Sequence, residues 1–418
     1  MPINCKQKNI LYVCRMFNGL DISMSQKVWD PTGVPTIYQM IERFDSDVLY
    51  NLDLVVTSKN NEYKITSLSF LRKINISGLS SVVTILHSFG YRYGKIGLLL
   101  QELLHTLYIL TKVVVKRYDV LYVDHANIYA ASIVSRLSRT PVVFRVMGVY
   151  PAMRKAISDP GMVNIFLRWC YRSPFSLVIC TQDGSGIEPW LDNALDSRVL
   201  VYKLINGVDY RRPTTHQKNI FYTNYKIPKN KFLVLYIGKL EKIKGIYDFI
   251  EGFFLANKQS NGELHAVIVG HGDQYRNILT LLDNHPDKDS VALIQRVSHS
   301  EIFNFHAAAD LYISPNHLAN LTNANLEAMQ SGSCMAITKS QSDTEVDLIT
   351  DSLLDDTAVY RYDFPPTPKK ISSAIVDLYS DQHLRDSLSN NVVLQSNKFV
   401  TSWNERIELE IGYINEII

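Results

Sequence analysis

The chain has 418 residues, 46% of them hydrophobic and 20% charged, which is too long for one ordinary core and excludes disordered, collagen-like and low-complexity classes. The net charge of +2 hides an asymmetry, because residues 1–210 carry 23 Lys and Arg against 16 Asp and Glu and the remainder 20 against 25. A basic first half suits an acidic partner or an anionic membrane surface, although ordinary solvated surface explains it equally well.

Five cysteines, at 5, 14, 170, 180 and 334, are scattered without a Cys-x-x-Cys pair. They argue against a disulfide framework or zinc site and for a reducing compartment. No apolar signal stretch follows the N-terminal basic residues, so a cytoplasmic location is expected.

Residues 9–14 read as a buried strand, and a polar loop containing Gly19 and Gly33 leads to a helix over 35–44 with Pro35 in its first turn. Gly33 lets backbone approach a ligand closely, while a plain loop glycine is the simpler reading. Further strands are predicted at 54–57, 82–86, 120–123, 142–146 and 177–181, with helices at 128–137 and 163–171. That alternation implies a parallel sheet covered on both faces. Arg145, near the end of one strand, offers positive charge to a ligand or sits at the core edge. No Gly-x-Gly-x-x-Gly follows the first strand, which argues against a dinucleotide cofactor.

The longest apolar stretch, 97–115, is interrupted by Gln101, Glu102, His105 and Lys112, which argues against a membrane span. Leu99, Leu103, Leu107 and Leu110 recur at helical spacing and predict a core-facing helix. The alternative is a peripheral membrane contact, since Arg92, Lys95, Lys116 and Arg117 flank the stretch.

Asn206-Gly207 marks a turn after a strand at 200–204, and the polar stretch 210–230 reads as a linker. A second strand–helix series follows, with strands at 232–237, 264–269, 291–294, 310–314 and 334–338. Helices are expected at 246–255, 300–309, 325–330, 370–379, 382–388 and 400–418. Lys239 and Lys244-Gly245 lie between a strand and a helix start, where ammonium charges, unpaired N–H groups and the helix dipole converge into an anion site. Loop lysines are, however, often only solvated. Glu327 falls near the start of a short helix, at the carboxyl end of a parallel sheet, where open α/β sheets bind ligands. An acid there also complements the dipole with no ligand at all.

Pro315 through Leu326-Glu327-Ala328-Met329 to Gly332 resembles the nucleotide-sugar loop of retaining family-4 glycosyltransferases. Gly238-Lys239-Leu240 with Lys244-Gly245 resembles the same family's pair of basic residues that hold the donor diphosphate. Asn206-Gly207-Val208-Asp209 and the glycine pair at 270 and 272 are similar to further elements of it. The resemblance implies the GT-B fold: an acceptor-binding Rossmann-like domain over 1–209, a linker over 210–230 and a nucleotide-sugar-binding Rossmann-like domain over 231–395. The domains face across a cleft, and a helix over 396–418 returns to the first domain. It also implies transfer with retention and without metal or other cofactor.

By the same resemblance, Lys239 and Lys244 stabilise the leaving diphosphate with Arg145 as a further charge, and Glu327 holds the ribose. Gly33, Gly245, Gly270, Thr322 and Asn323 complete the donor site. The chain departs from the pattern at Ala319 where a first Glu stands, Met147 where many members have His, Lys239 where they have Arg, and 340–344 where members usually carry glycines. The expected partners are a nucleotide sugar and a glycan or lipid-linked acceptor, with peripheral contact at the inner membrane face and no nucleic acid. A catalytically silent GT-B subunit and a sugar-nucleotide epimerase are the alternatives.

Overall fold

A computed structural model of the chain describes residues 7–59, 70–295 and 297–418, so Cys5 lies outside the described residues. The chain divides into two compact units, one formed by residues up to 181 with 188–204 and 404–418, the other by 182–187 and 205–403.

The first unit is built on eight strands: β1 Lys8–Arg15, β2 Tyr50–Thr57, β3 Leu71–Ile74, β4 Val83–Leu86, β5 Val120–Asp124, β6 Val142–Val146, β7 Leu177–Thr181 and β8 Val201–Leu204. Their order is β3-β4-β2-β1-β5-β6-β7-β8. All pair in parallel except β3, which runs antiparallel to β4. The central strands are continuous apolar runs, as a sheet covered on both faces requires. β3 went unpredicted because Leu-Arg-Lys-Ile carries no apolar run; its exposed Arg72 and Lys73 suit a protected sheet edge. The last helix, Trp403–Asn415, packs Ile407, Ile411 and Ile414 into this unit's core. Trp403 itself stays with the second unit, its N–H donating to Asp209 Oδ1 at 3.0 Å.

The helix Gly94–Val115 is turned opposite to expectation. Its buried face is Gly97, Gln101, His105, Ile109 and Val113, while Leu99, Leu103 and Leu107 are 63%, 52% and 47% exposed. Loop carbonyls and amides dictate this choice, since buried backbone polar groups need partners. The Gln101 carboxamide accepts from the Phe89 N–H and donates to the Ser58 carbonyl, and His105 Nε2 donates to the His87 carbonyl at 3.1 Å.

The second unit carries β9 Phe232–Ile237, β10 Leu264–Val269, β11 Val291–Ile294, β12 Leu311–Ser314, β13 Met335–Thr338 and β14 Tyr360–Tyr362, all parallel, in the order β11-β10-β9-β12-β13-β14. Residues 210–230, expected as a linker, contain a helix, Thr215–Asn224, opened by a Thr214–Gln217 capping box. Phe221 and Ile227 are part of this unit's core. After β11 the chain crosses to the other side of β9 to form β12, so the strand order reverses between β9 and β12.

Candidate functional site in the second unit

In an open parallel sheet the loops at a reversal diverge to opposite faces and leave a crevice at the carboxyl edge. Here those loops follow β9 and β12. The Tyr236 hydroxyl lies 3.2 Å from the Lys239 carbonyl and 3.4 Å from that of Lys244, tying together both ends of the β9 loop. Gly245 has φ +72, and a Cβ on it would lie 2.0 Å from the Pro315 carbonyl oxygen. Only glycine therefore lets the two loops meet. The His317 N–H seals the contact by donating to the Ile243 carbonyl at 3.2 Å.

The helix Ile246–Gln259 starts at Gly245 with no side-chain cap, so its first-turn N–H groups and positive dipole end are offered to an anion. Lys239 is exposed and Lys244 half-buried beside this start. Burial lowers the Lys244 pKa, while the carboxylates of Asp183 and Glu241 hold its charge in place and Lys239 opposes it. Asp183 was not predicted. Its own pKa is raised by burial, against hydrogen bonds from Ser185 and the charge of Lys244. The signal is the Gln-Asp-Gly-Ser turn at 182–185 after β7, which by sequence suits either a plain strand–helix connection or a cleft wall. The segment is bound into the second unit, with Leu321 N–H donating to the Asp183 carbonyl at 3.0 Å and Asp347 N–H to that of Gly184 at 2.8 Å.

Gly270 has a structural reason of its own: a Cβ there would lie 1.9 Å from the Gly238 carbonyl oxygen. It allows the β10 loop to support the β9 loop, where Leu240 N–H reaches the His271 carbonyl at 3.1 Å.

The β12 loop is pinned by its own asparagines. Asn316 donates to the Ala319 carbonyl at 2.6 Å, Asn320 donates to the Asp347 carboxylate at 2.8 Å, and Asn325 accepts from the Tyr312 hydroxyl at 2.8 Å. Burial pushes Asp347 up to about 7. Thr322 caps the helix Asn323–Gln330 through its side chain. Asn323 Oδ1 accepts from Asn206 Nδ2 at 2.6 Å.

The helix begins two residues earlier than expected, which places Glu327 fifth, in the second turn, and removes dipole complementation as the reason for an acid there. Glu327 is 7% exposed, and burial pushes its pKa up to about 8. His299 Nε2 stands 3.5 Å from Glu327 Oε1. That separation is within ion-pair range, yet burial lowers the His299 pKa against the pull of Asp209, so both groups favour their neutral forms at pH 7. His299 was also unpredicted; it opens the single turn His299–Glu301 ahead of the helix Ile302–Ala308, where a helix was expected only from 300.

A buried carboxyl whose one charged-class neighbour is neutral gains most from ligand hydroxyls that donate to it. Such donors stabilise the charged form, so the bound pKa falls below about 8. Affinity for a diol-bearing ligand then rises with pH up to that value and levels above it, by at most about tenfold per pH unit for one proton. Calorimetric titration of a ribonucleoside diphosphate from pH 6.5 to 8.5 measures this slope, and Glu327→Gln is expected to abolish it.

Two predicted residues lie in the first unit. Gly33 has φ +102, and a Cβ there would lie 2.7 Å from the Asn18 carbonyl oxygen, so a turn alone already requires glycine. Arg145 was expected to offer charge to a ligand and does not: it is 0% exposed. Its guanidinium reaches the Ile179 carbonyl at 3.0 Å, Thr181 Oγ1 at 2.8 Å and Glu410 Oε1 at 3.3 Å. Arg406 approaches the other Glu410 oxygen at 2.7 Å, and the Tyr122 hydroxyl donates to the same carboxylate. This is a buried structural cluster. Ala319 is 2% exposed, and Met147 packs against the first unit's core. Among the described residues, no group of three His, Cys, Asp or Glu side chains is placed to hold a metal ion.

Residues 218–393, from within the helix Thr215–Asn224 to near the end of the helix Gln382–Ser396, match the family model described as glycosyl transferases group 1. No curated protein matches the chain. Among solved structures, the chain is similar to sucrose-phosphate synthase from Thermosynechococcus elongatus, with TM-score 0.71, 13% identity and 98% of each chain covered. HepE from Anabaena in complex with UDP and glucose gives TM-score 0.66 and 13% identity over 98% of this chain and 100% of that one. The E. coli trehalose-6-phosphate structure bound with UDP-2-fluoro glucose gives 0.66 and 10% over 98% and 100%. These likenesses identify the fold as GT-B, with two parallel-sheet Rossmann-like units.

Proposed function

We propose that the chain is a family-4-type glycosyltransferase that moves a sugar from a nucleoside-diphosphate donor to a glycan or lipid-linked acceptor, with retention and without a bound metal. The group 1 match over 218–393 and the UDP and UDP-sugar ligands of the similar structures support the donor class. What supports the reading is that Lys239 and Lys244 lie beside an uncapped helix start after β9, and the buried Glu327 on the helix that follows the β12 loop, these two loops flanking the reversal in strand order.

A departing diphosphate gathers negative charge in the transition state. Preorganised N–H groups and ammonium charges at the β9 loop stabilise that charge where it develops. In this reading they fill the place of a metal. Lys239 supplies a mobile point charge, and Lys244, held by Asp183 and Glu241, supplies a fixed one. Glu327 takes the ribose hydroxyls, and Thr322 and Asn323 shape the second helix start beside it. The acceptor belongs to surface polysaccharide or glycolipid synthesis at the cytoplasmic face of a membrane.

The test incubates the purified chain with nucleotide sugars and with glycan or lipid-linked acceptors, following anomeric signals by NMR. A product with the donor's anomeric configuration is expected. An inverted product contradicts retention, and epimerised donor formed without acceptor favours the epimerase reading. Absence of any transfer favours a silent subunit, the reading that the apolar Ala319 supports.

A further inference from the structure

The helices Gly94–Val115 and Met162–Tyr171 of the first unit both turn apolar side chains to solvent. On the first, Ile96 and Leu99 are 83% and 63% exposed; on the second, Met162, Val163, Phe166 and Trp169 are 87%, 68%, 45% and 43% exposed. The helix Ile128–Leu137 lies between them. Its Tyr129 ring stacks on Phe166 at 5.6 Å and senses the charge of Glu102 on the long helix, so one helix braces both apolar stripes within the same unit. The long helix is apolar and long enough to cross a membrane by composition. Yet it is fastened lengthwise, through Gln101 and His105, against the unit's own loops. Gln101 and the Nε2 of His105 bond inward while the leucines face outward, the reverse of a water-soluble core helix.

The rim is basic. Between 92 and 117 five Lys and Arg stand against Glu102, which is paired to Arg15 at 2.8 Å, while Lys112 and Lys116 share Asp53 at 2.7 and 3.8 Å; between 150 and 172 four stand against Asp159. Lys95, Lys116, Arg117, Lys155 and Arg172 are exposed. Large apolar side chains exposed together and rimmed by polar residues mark an interaction surface. Cations around it match a surface that is anionic outside and hydrocarbon within.

We propose that this two-helix face docks the first unit onto an anionic lipid bilayer, lying in the interface with Phe166, Trp169 and the leucines among the acyl chains and the lysines and arginines among the headgroups. This goes beyond the transfer reading and stands whether or not that reading holds, since the face and the nucleotide half-site occupy different units.

The test sediments the full chain with vesicles of phosphatidylcholine alone or mixed with phosphatidylglycerol. Binding is expected to the anionic vesicles, weakening as salt rises, and Trp169 fluorescence is expected to be quenched by lipids brominated along the acyl chain, with the quenching lost in Trp169→Phe. Leu103→Glu with Phe166→Glu, both on exposed sites, should cut partitioning by about tenfold or more while circular dichroism and calorimetric binding of a nucleoside diphosphate stay as in the parent. Failure to bind anionic vesicles, binding indifferent to the double variant, or a face instead occupied by a second copy, seen as a dimer that the double variant dissociates without any vesicle binding, overturns the proposal. Loss of nucleotide binding with vesicle binding intact sinks the transfer reading alone.

Discussion

Lys244→Ala is expected to lower sugar turnover by about 100- to 1,000-fold, the usual scale for removing one preorganised charge from a developing oxyanion. The ammonium is half-buried beside an uncapped helix start, with Asp183 and Glu241 keeping it charged. Its loss also leaves Asp183 without the cation that offsets its burial. Lys239→Arg makes the contrast. Lys239 is exposed, and a guanidinium there keeps the charge and adds a bidentate fork suited to phosphate, so turnover should be kept or improved. Steady-state rates of both variants, with unfolding midpoints as controls, check the pair. Equal turnover of Lys244→Ala and parent contradicts the diphosphate assignment.

Glu410→Leu is expected to destabilise the first unit by about 3–5 kcal/mol, because it leaves Arg145 and Arg406 buried without the carboxylate between them. Burial alone would raise the Glu410 pKa, but the two guanidiniums and the Tyr122 hydroxyl hold it below the ordinary carboxylate value. By linkage, a depressed acid contributes stability above its unfolded pKa and loses it as pH falls through the folded one. The gap between Glu410→Leu and parent should therefore narrow in acid. Urea unfolding at pH 7 and pH 4 measures it. Arg145→Met is expected to be milder, since Arg406 still neutralises Glu410, and to leave turnover per folded molecule unchanged. A large fall in turnover would restore Arg145 to the chemistry.

The strands 142–146, 177–181, 232–237, 264–269 and 291–294 stand at the expected residues. Each is a short β-branched or aromatic run closed by glycine or polar residues, and tertiary contacts had little left to decide. The helix Gly94–Val115 shows the opposite case. Periodicity located an apolar stripe, but which stripe faces the core depended on loop amides and carbonyls around 58 and 87–89 that no local pattern encodes.

The site divides along the same line. Lys244-Gly245 was legible because charge, glycine and helix start are adjacent in sequence. Glu327 stood out as a candidate through the resemblance of Leu326-Glu327-Ala328-Met329 more than through its position after a strand, and the extra half-turn that sets its burial was not legible. Asp183 and His299 come from segments remote in the chain that reach Lys244 and Glu327 only through tertiary structure. Arg145 misled for a related reason. Its position near a strand end is the same whether the side chain meets water or Glu410, and that partner lies on the last helix.

The proposed donor site sets a nucleoside diphosphate against the β9 and β12 loops of the second unit. Isothermal titration of the intact chain with the common ribonucleoside diphosphates tests it most directly. Saturable binding of at least one of them is expected, lost in Lys244→Ala and weakened in Glu327→Ala, with both variants folded as the parent. Heats absent across the whole series, or identical for parent and both variants, would contradict it.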